Sequence, residues 1–245
     1  MHRALMRILV ASATLAIVVA WCDRVHADMF GSGANQFAID FVSIGSPGNA
    51  ADAEGNPSPS GAVDYVYRIS KYEISEHMID KAVAAGELDI NFRPRRGPDK
   101  PVTGVNWVEA ALFTNWLNMS IGVMPAYKIT PPPPPFVDPV YNVWQPSDPG
   151  YDPANPYRNR LARYFLPSVD EWYKAAYYKG GGPNAGYWEY PTQSDILPTA
   201  EEPAGTDLVN GSANHDNIYL YDPDTGQSYY TTEVGAYSAK PSSSA

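Results

Sequence analysis

The chain has 245 residues, with 17 Lys or Arg against 27 Asp or Glu, a formal charge of −10, and 44% hydrophobic but only 18% charged content. That suits one globular domain, and 19 Gly with 24 Pro push so much backbone into turns that a helical bundle or coiled coil is excluded. The negative balance opposes a phosphate backbone, and the largest basic cluster is Arg93-Pro94-Arg95-Arg96, so nucleic acid is not an expected partner.

Residues 1–27 have the pattern of a secretory signal peptide. Arg3 and Arg7 precede an apolar run from Ile8 to Trp21, and Val25-His26-Ala27 places a small residue at a cleavage site. The run is about 14 residues, short of the ~20 a helix needs to cross a bilayer. Export to a secreted or periplasmic location is therefore expected, with no membrane span after cleavage. Cleavage would also remove Cys22, the only cysteine, so stability would rest on core burial and backbone hydrogen bonds rather than disulfides.

Residues 28–36 form a short lead. Phe37 to Phe41 then alternates apolar with small or polar side chains, as do Val63, Tyr65, Tyr67 and Ile69 with their neighbours, and both stretches predict half-buried strands. The Gly/Pro/Ser/Asn/Asp-rich stretch 45–61 between them predicts a loop. Three helices follow. Ser75 caps the first, whose Met78, Ile79, Ala82 and Val83 share a face before Gly86 ends it. Asn106 with Glu109 opens the second, which carries Val108, Ala111, Leu112 and Trp116 on one side. Ser168-Val169-Asp170-Glu171 is a capping box for the third, where Val169, Trp172, Tyr173, Ala176 and Tyr177 mark an apolar face before Gly180-Gly181-Gly182-Pro183. Between the second and third, Pro131 to Pro135 and five further prolines up to Pro156 favour polyproline II and predict an excursion within the domain, over 131–160.

Few catalytic chemistries find their residues. Beyond the leader there is no thiol, His77 and His215 are the only histidines, and no Gly-x-Ser-x-Gly, Walker or His-Glu-x-x-His pattern occurs. Carboxylates are abundant, but a count does not place two of them across a substrate. The clearest ion-binding hint is Asn214-His215-Asp216-Asn217 followed by Asp222-Pro223-Asp224-Thr225-Gly226. Closely spaced Asp and Asn oxygens suit calcium, although Asp-Pro-Asp-x-Gly also makes an ordinary turn. Asn118-Met119-Ser120 and Asn210-Gly211-Ser212 match glycosylation acceptors, relevant only to a eukaryotic secretory route.

Four segments in order carry a resemblance: Phe41 to Gly45, Tyr67 to Ser75, Pro101 to Ala110, and Phe165-Leu166-Pro167-Ser168-Val169-Asp170-Glu171-Trp172-Tyr173-Lys174-Ala175-Ala176. The last is similar to the Arg-Leu-Pro-Thr-Glu-x-Glu-Trp-Glu-x-Ala-Ala signature of the formylglycine-generating enzyme, or sulfatase-modifying factor, family, with Phe165 where Arg usually stands. The resemblance implies an α+β fold, a variant of the C-type lectin fold poor in regular secondary structure. It spans a domain over 37–238, with the Pro-rich insertion at 131–160 and a polar tail at 239–245. It also implies calcium near an Ala-Asn-x segment like Ala213-Asn214-His215, with Asn214 as side-chain ligand and Asp222 or Asp224 as partner. The family's catalysts oxidise a sulfatase cysteine to formylglycine with oxygen and a copper ion held by two cysteines. No residue here matches those cysteines, so no copper is expected. Val234 to Ser238 resembles the strand that leads, in the family, into a Gly-Asn-Val-Trp-Glu-Trp segment, so the C-terminal part of the domain is expected to be incomplete. The expected function is an exported, non-catalytic module that binds a protein or glycan, or a truncated remnant. The alternatives are a formylglycine-generating oxidoreductase lacking its catalytic end and a carbohydrate-binding or carbohydrate-active protein.

Overall fold

The computed structural model describes residues 26–86, 88–90, 92, 94–130, 140–203, 205–215, 220–222, 227–229 and 231–237. Most of the expected signal peptide, the five-proline run, Asp224 and the polar tail lie outside these residues. Strand β1 (His26–Phe30) pairs antiparallel with β2 (Phe37–Ile44), which pairs antiparallel with β3 (Tyr67–Ser70). In β2, Phe37, Ile39 and Phe41 are buried while Ala38 and Asp40 face water, the two-residue period of a strand with one wet face. The expected lead thus contributes to an edge strand, with Ala27 opposite Asp40 and Phe30 opposite Phe37. Asp28 ties that edge down: it accepts from Arg68 on β3 at 2.6 Å and from the Tyr164 hydroxyl at 2.6 Å.

The second expected strand is only half formed, because β3 starts at Tyr67. Upstream, the backbone of Val63 is held by other partners: its N–H donates to Asn49 Oδ1 at 3.2 Å and its carbonyl accepts from Gly48 N at 2.9 Å. Those bonds replace a ladder, and Tyr65 and Val66 are left exposed.

All three expected helices form. In α1 (Glu76–Ala84) the Ser75 hydroxyl accepts from Met78 N, and Ile79 and Ala82 face the core. Glu76 is also buried, at 2% exposure, because its carboxylate accepts from Arg96 N at 2.7 Å and Gly97 N at 3.2 Å. Helix α2 (Trp107–Ser120) carries the full Asn106–Glu109 capping box and is buried on nearly every side from Phe113 to Asn118. A single stripe therefore understates it, since a helix wrapped by its neighbours has no polar face.

Helix α3 (Val169–Tyr177) departs most from expectation. Its capping box forms, yet its buried residues are Glu171 and Lys174, while Val169 and Trp172 are 55% and 51% exposed. Of the expected apolar face, Val169 and Trp172 point outward while Tyr173, Ala176 and Tyr177 are half-buried, because specific polar partners draw Glu171 and Lys174 inward. Lys174, 1% exposed, donates to the carbonyl of Ser46 at 2.9 Å.

The main core gathers β1, β2, α1 and α2 through Phe30, Phe37, Phe41, Ile79, Phe113 and Trp116. Phe37 lies against Trp116 at 5.8 Å between ring centroids, and Phe30 meets Tyr164 edge-on at 5.0 Å. Among the described residues the remaining sheets are all two-stranded. They are β4 (Lys128–Thr130) with β5 (Val140–Asn142), β6 (Thr199–Ala200) with β7 (Ser212–Ala213), and β8 (Leu220–Asp222) with β9 (Gln227–Tyr229). The result is a mixed α+β domain with few helices and small sheets. After β5 the Pro-rich stretch returns to the body: Trp144 is buried, its indole N–H donates to Ala126 O at 3.1 Å, and Asn159 is fully enclosed.

Candidate functional site

The start of α3 is fixed by a buried ion pair. Arg158 Nη1 and Nη2 lie 3.2 and 3.0 Å from the two carboxylate oxygens of Glu171, a bidentate arrangement. Glu171 also accepts from Ser168 N at 2.5 Å and the Tyr65 hydroxyl at 2.7 Å, while Tyr67 donates to the Glu171 carbonyl. Burial works to raise the Glu171 pKa, but the Arg158 guanidinium, the Ser168 N–H and the Tyr65 hydroxyl outweigh it and hold the carboxyl below its ordinary range. Although the residue is half exposed, desolvation of the Tyr65 hydroxyl, then its hydrogen bond to Glu171 and the Glu171 charge, push its pKa up to about 12. Phe165 lies beneath the Arg158 guanidinium, 5.3 Å from ring centroid to carbon. The guanidinium that meets Glu171 is thus supplied from the returning Pro-rich stretch.

Next to this knot α3 forms one wall of a cleft of about 460 Å³. A loop closed by reciprocal backbone bonds between Asp52 and Ser60 forms the second wall, and the turn bridged by Tyr178 and Tyr187 forms the third. Ala50 N donates to Pro183 O at 3.0 Å and joins the last two. Asp52, Glu54 and Glu189 supply carboxylates, and Tyr173, Tyr187 and Trp188 supply aromatic surface. Tyr173 donates to Asp52 Oδ2 at 2.8 Å, and Asp52 Oδ1 accepts from Glu54 N at 3.0 Å. The Tyr187 hydroxyl accepts from Asn49 Nδ2 at 2.7 Å and lies 2.8 Å from Ala50 O and 2.9 Å from Gly61 O. Burial raises the pKa of Tyr187 to about 12 and raises that of Tyr173 further, with the Asp52 carboxylate adding to the latter. Both phenols are therefore neutral donors at neutral pH.

The helical pattern places Tyr173 on an apolar face, and no sequence pattern marks the cleft. Asp52 and Tyr173 are 121 positions apart, and no local pattern joins them. The available signal was the density of aromatic residues over 172–190 beside a Gly/Asp-rich loop.

Of the expected calcium ligands, Asn214 follows β7 and is partly buried, the backbone of Asp222 ends β8, and Asp224 lies outside the described residues, as does the Asp222 side chain. His215 Nε2 is 2.8 Å from Pro198 O. Carboxylates earlier in the same region hold their own loop. Glu201 accepts from Thr206 N at 2.6 Å and from the Ser212 hydroxyl, bonds that lower its pKa to about 2, and Asp207 accepts from Asn210 N at 2.8 Å. Among the described residues no three His, Cys, Asp or Glu side chains converge as a metal site.

The first glycosylation pattern meets a structural obstacle. Asn118 is fully buried; its amide donates to Tyr164 O at 2.8 Å, and its oxygen accepts from Arg163 N at 2.7 Å and Tyr164 N at 3.0 Å. Every polar atom a glycan would need is already committed to the fold.

The family model described as the sulfatase-modifying factor enzyme 1-like domain matches residues 40–241. No curated protein and no solved structure matches the chain.

Proposed function

This chain belongs to the sulfatase-modifying factor family, and we propose that it is an exported, non-catalytic member, a lectin-like scaffold that binds a protein or glycan. The observation that carries this reading is cysteine usage. The 245 residues hold one cysteine, Cys22, inside the expected leader, so this sequence has no pair of thiolates to select and hold Cu(I). The assay is oxidation of a sulfatase-derived cysteine peptide, with metal analysis of the purified protein. No aldehyde and no bound copper are expected; peptide turnover with stoichiometric copper would overturn the reading. Family membership also keeps a formylglycine-generating oxidoreductase as the second reading, and the same assay separates the two.

Calcium is the proposed ion, with Asn214 as ligand and Asp222 or Asp224 as partner, since hard oxygens from Asn and Asp match its preference. Thermal unfolding should shift upward in excess calcium relative to chelator, and equal midpoints would remove the proposal.

A further inference from the structure

We propose that the cleft walled by the 50–54 loop, α3 and the 183–189 turn binds an organic cation, an alkylammonium or guanidinium group such as a basic side chain presents. This names a ligand class for the binding role proposed above and rests on that role only for its biological use.

Three features of the cleft agree on this chemistry. Its charged lining is of one sign: Asp52, Glu54 and Glu189 contribute carboxylates and no Lys or Arg lines it. The ion pairs among the described residues engage other acids, such as Asp28, Asp148, Glu171 and Asp195, and leave these three without a basic partner. Beside small residues, the uncharged lining includes the aromatic side chains of Tyr173, Tyr187 and Trp188, and an aromatic face attracts a cation through its quadrupole. Trp188 already displays that preference within the chain, for the Lys179 ammonium sits 4.4 Å from its ring centroid on one face.

The arrangement selects an organic cation over a metal ion. Asp52, Glu54 and Glu189 do not converge to a metal's coordination distance, whereas a cleft of about 460 Å³ has the size of small-molecule sites, roughly 300–1,000 Å³. Tyr173 is fixed by its bond to Asp52, and Tyr187 by Asn49, Ala50 and Gly61, so the walls are organised before any ligand arrives.

Titration of the full chain with tetramethylammonium and with arginine methyl ester, followed by calorimetry and tryptophan emission, tests the proposal. Neutral tert-butanol serves as the control of similar shape. Saturable binding of at least one cation is expected, weakened about ten-fold or more by Glu189→Gln and by Asp52→Asn and reduced by added salt. Glu189 is exposed, so its variant should keep the parent's unfolding midpoint and carries the test if Asp52→Asn fails to fold. Absence of saturable cation binding, equal binding of tert-butanol, unchanged affinity in Glu189→Gln, or displacement of the cation by stoichiometric calcium would overturn it. Loss of this proposal would leave the non-catalytic reading standing, and oxidation of a sulfatase peptide would remove that reading without touching the cleft.

Discussion

Removing the Arg158 guanidinium should loosen the attachment of α3 to the rest of the domain. In the parent, the two side chains are 20% and 10% exposed and form two hydrogen bonds at 3.2 and 3.0 Å. Breaking one partner of a fully buried pair costs about 3–5 kcal/mol, because the other charge is left dry and uncompensated. Arg158 keeps some contact with water and Glu171 keeps Ser168 N and the Tyr65 hydroxyl, so Arg158→Met should cost about 2–3 kcal/mol. At a urea slope of about 2 kcal/mol/M this moves the unfolding midpoint down by about 1–1.5 M at pH 7. The acid limb gives an independent reading. The Glu171 pKa is lowered in the fold, so its stabilisation is fully present above the unfolded value of ~4.3 and is lost as pH falls through the folded value. In Arg158→Met burial is less opposed, the carboxyl pKa rises, and acid unfolding begins at higher pH. Arg158→Lys restores the charge but not the fork and should recover only part of the loss. A midpoint change in Arg158→Met equivalent to less than about 1 kcal/mol, with an unmoved acid limb, would refute the reasoning.

Three further substitutions probe the surroundings. Gly61 has φ +91°, and a Cβ there would lie 2.6 Å from Tyr187 Oη, so Gly61→Ala should cost about 1–3 kcal/mol in thermal unfolding and disturb cation binding in the cleft; parent-like values for both would contradict the close approach. Asn118→Ala strands the Arg163 and Tyr164 backbone groups, for an expected loss of about 2–4 kcal/mol, and glycopeptide mapping after eukaryotic secretion should find Asn118 unmodified. Burial lowers the Lys174 pKa, so between that folded value and the unfolded ~10.4 the unfolded chain binds more protons and parent stability rises with pH. Lys174→Met should lack that rise, and identical melting profiles against pH in parent and variant would count against it.

Local rules served well where the signal was local. Ser75, Asn106 and Ser168 each mark a helix start because a side-chain oxygen a few positions away satisfies an otherwise orphaned N–H. Phe37, Ile39 and Phe41 announce β2 for the same reason, since a strand repeats every two residues. The orientation of α3 was not legible. Its hydrophobic pattern predicts Val169 and Trp172 inward, but Arg158 and Ser46, contributed from distant segments, decide which side turns toward the body. Val63 misled likewise: alternation predicts a strand, and Asn49 and Gly48 hold its backbone instead. The cleft depends on contacts between positions more than 100 apart and has no sequence period at all.

The first part of the Pro-rich stretch, residues 131–139, follows Thr130 and precedes Val140, and these two residues face each other across the β4–β5 ladder. Its ends are held side by side whatever lies between them. Doubling the length of such a connection adds only about 0.6 kcal/mol of closure entropy, so this is the position where evolution or an engineer can splice in a tag, an epitope or a whole foreign module while the remainder of the domain folds as before.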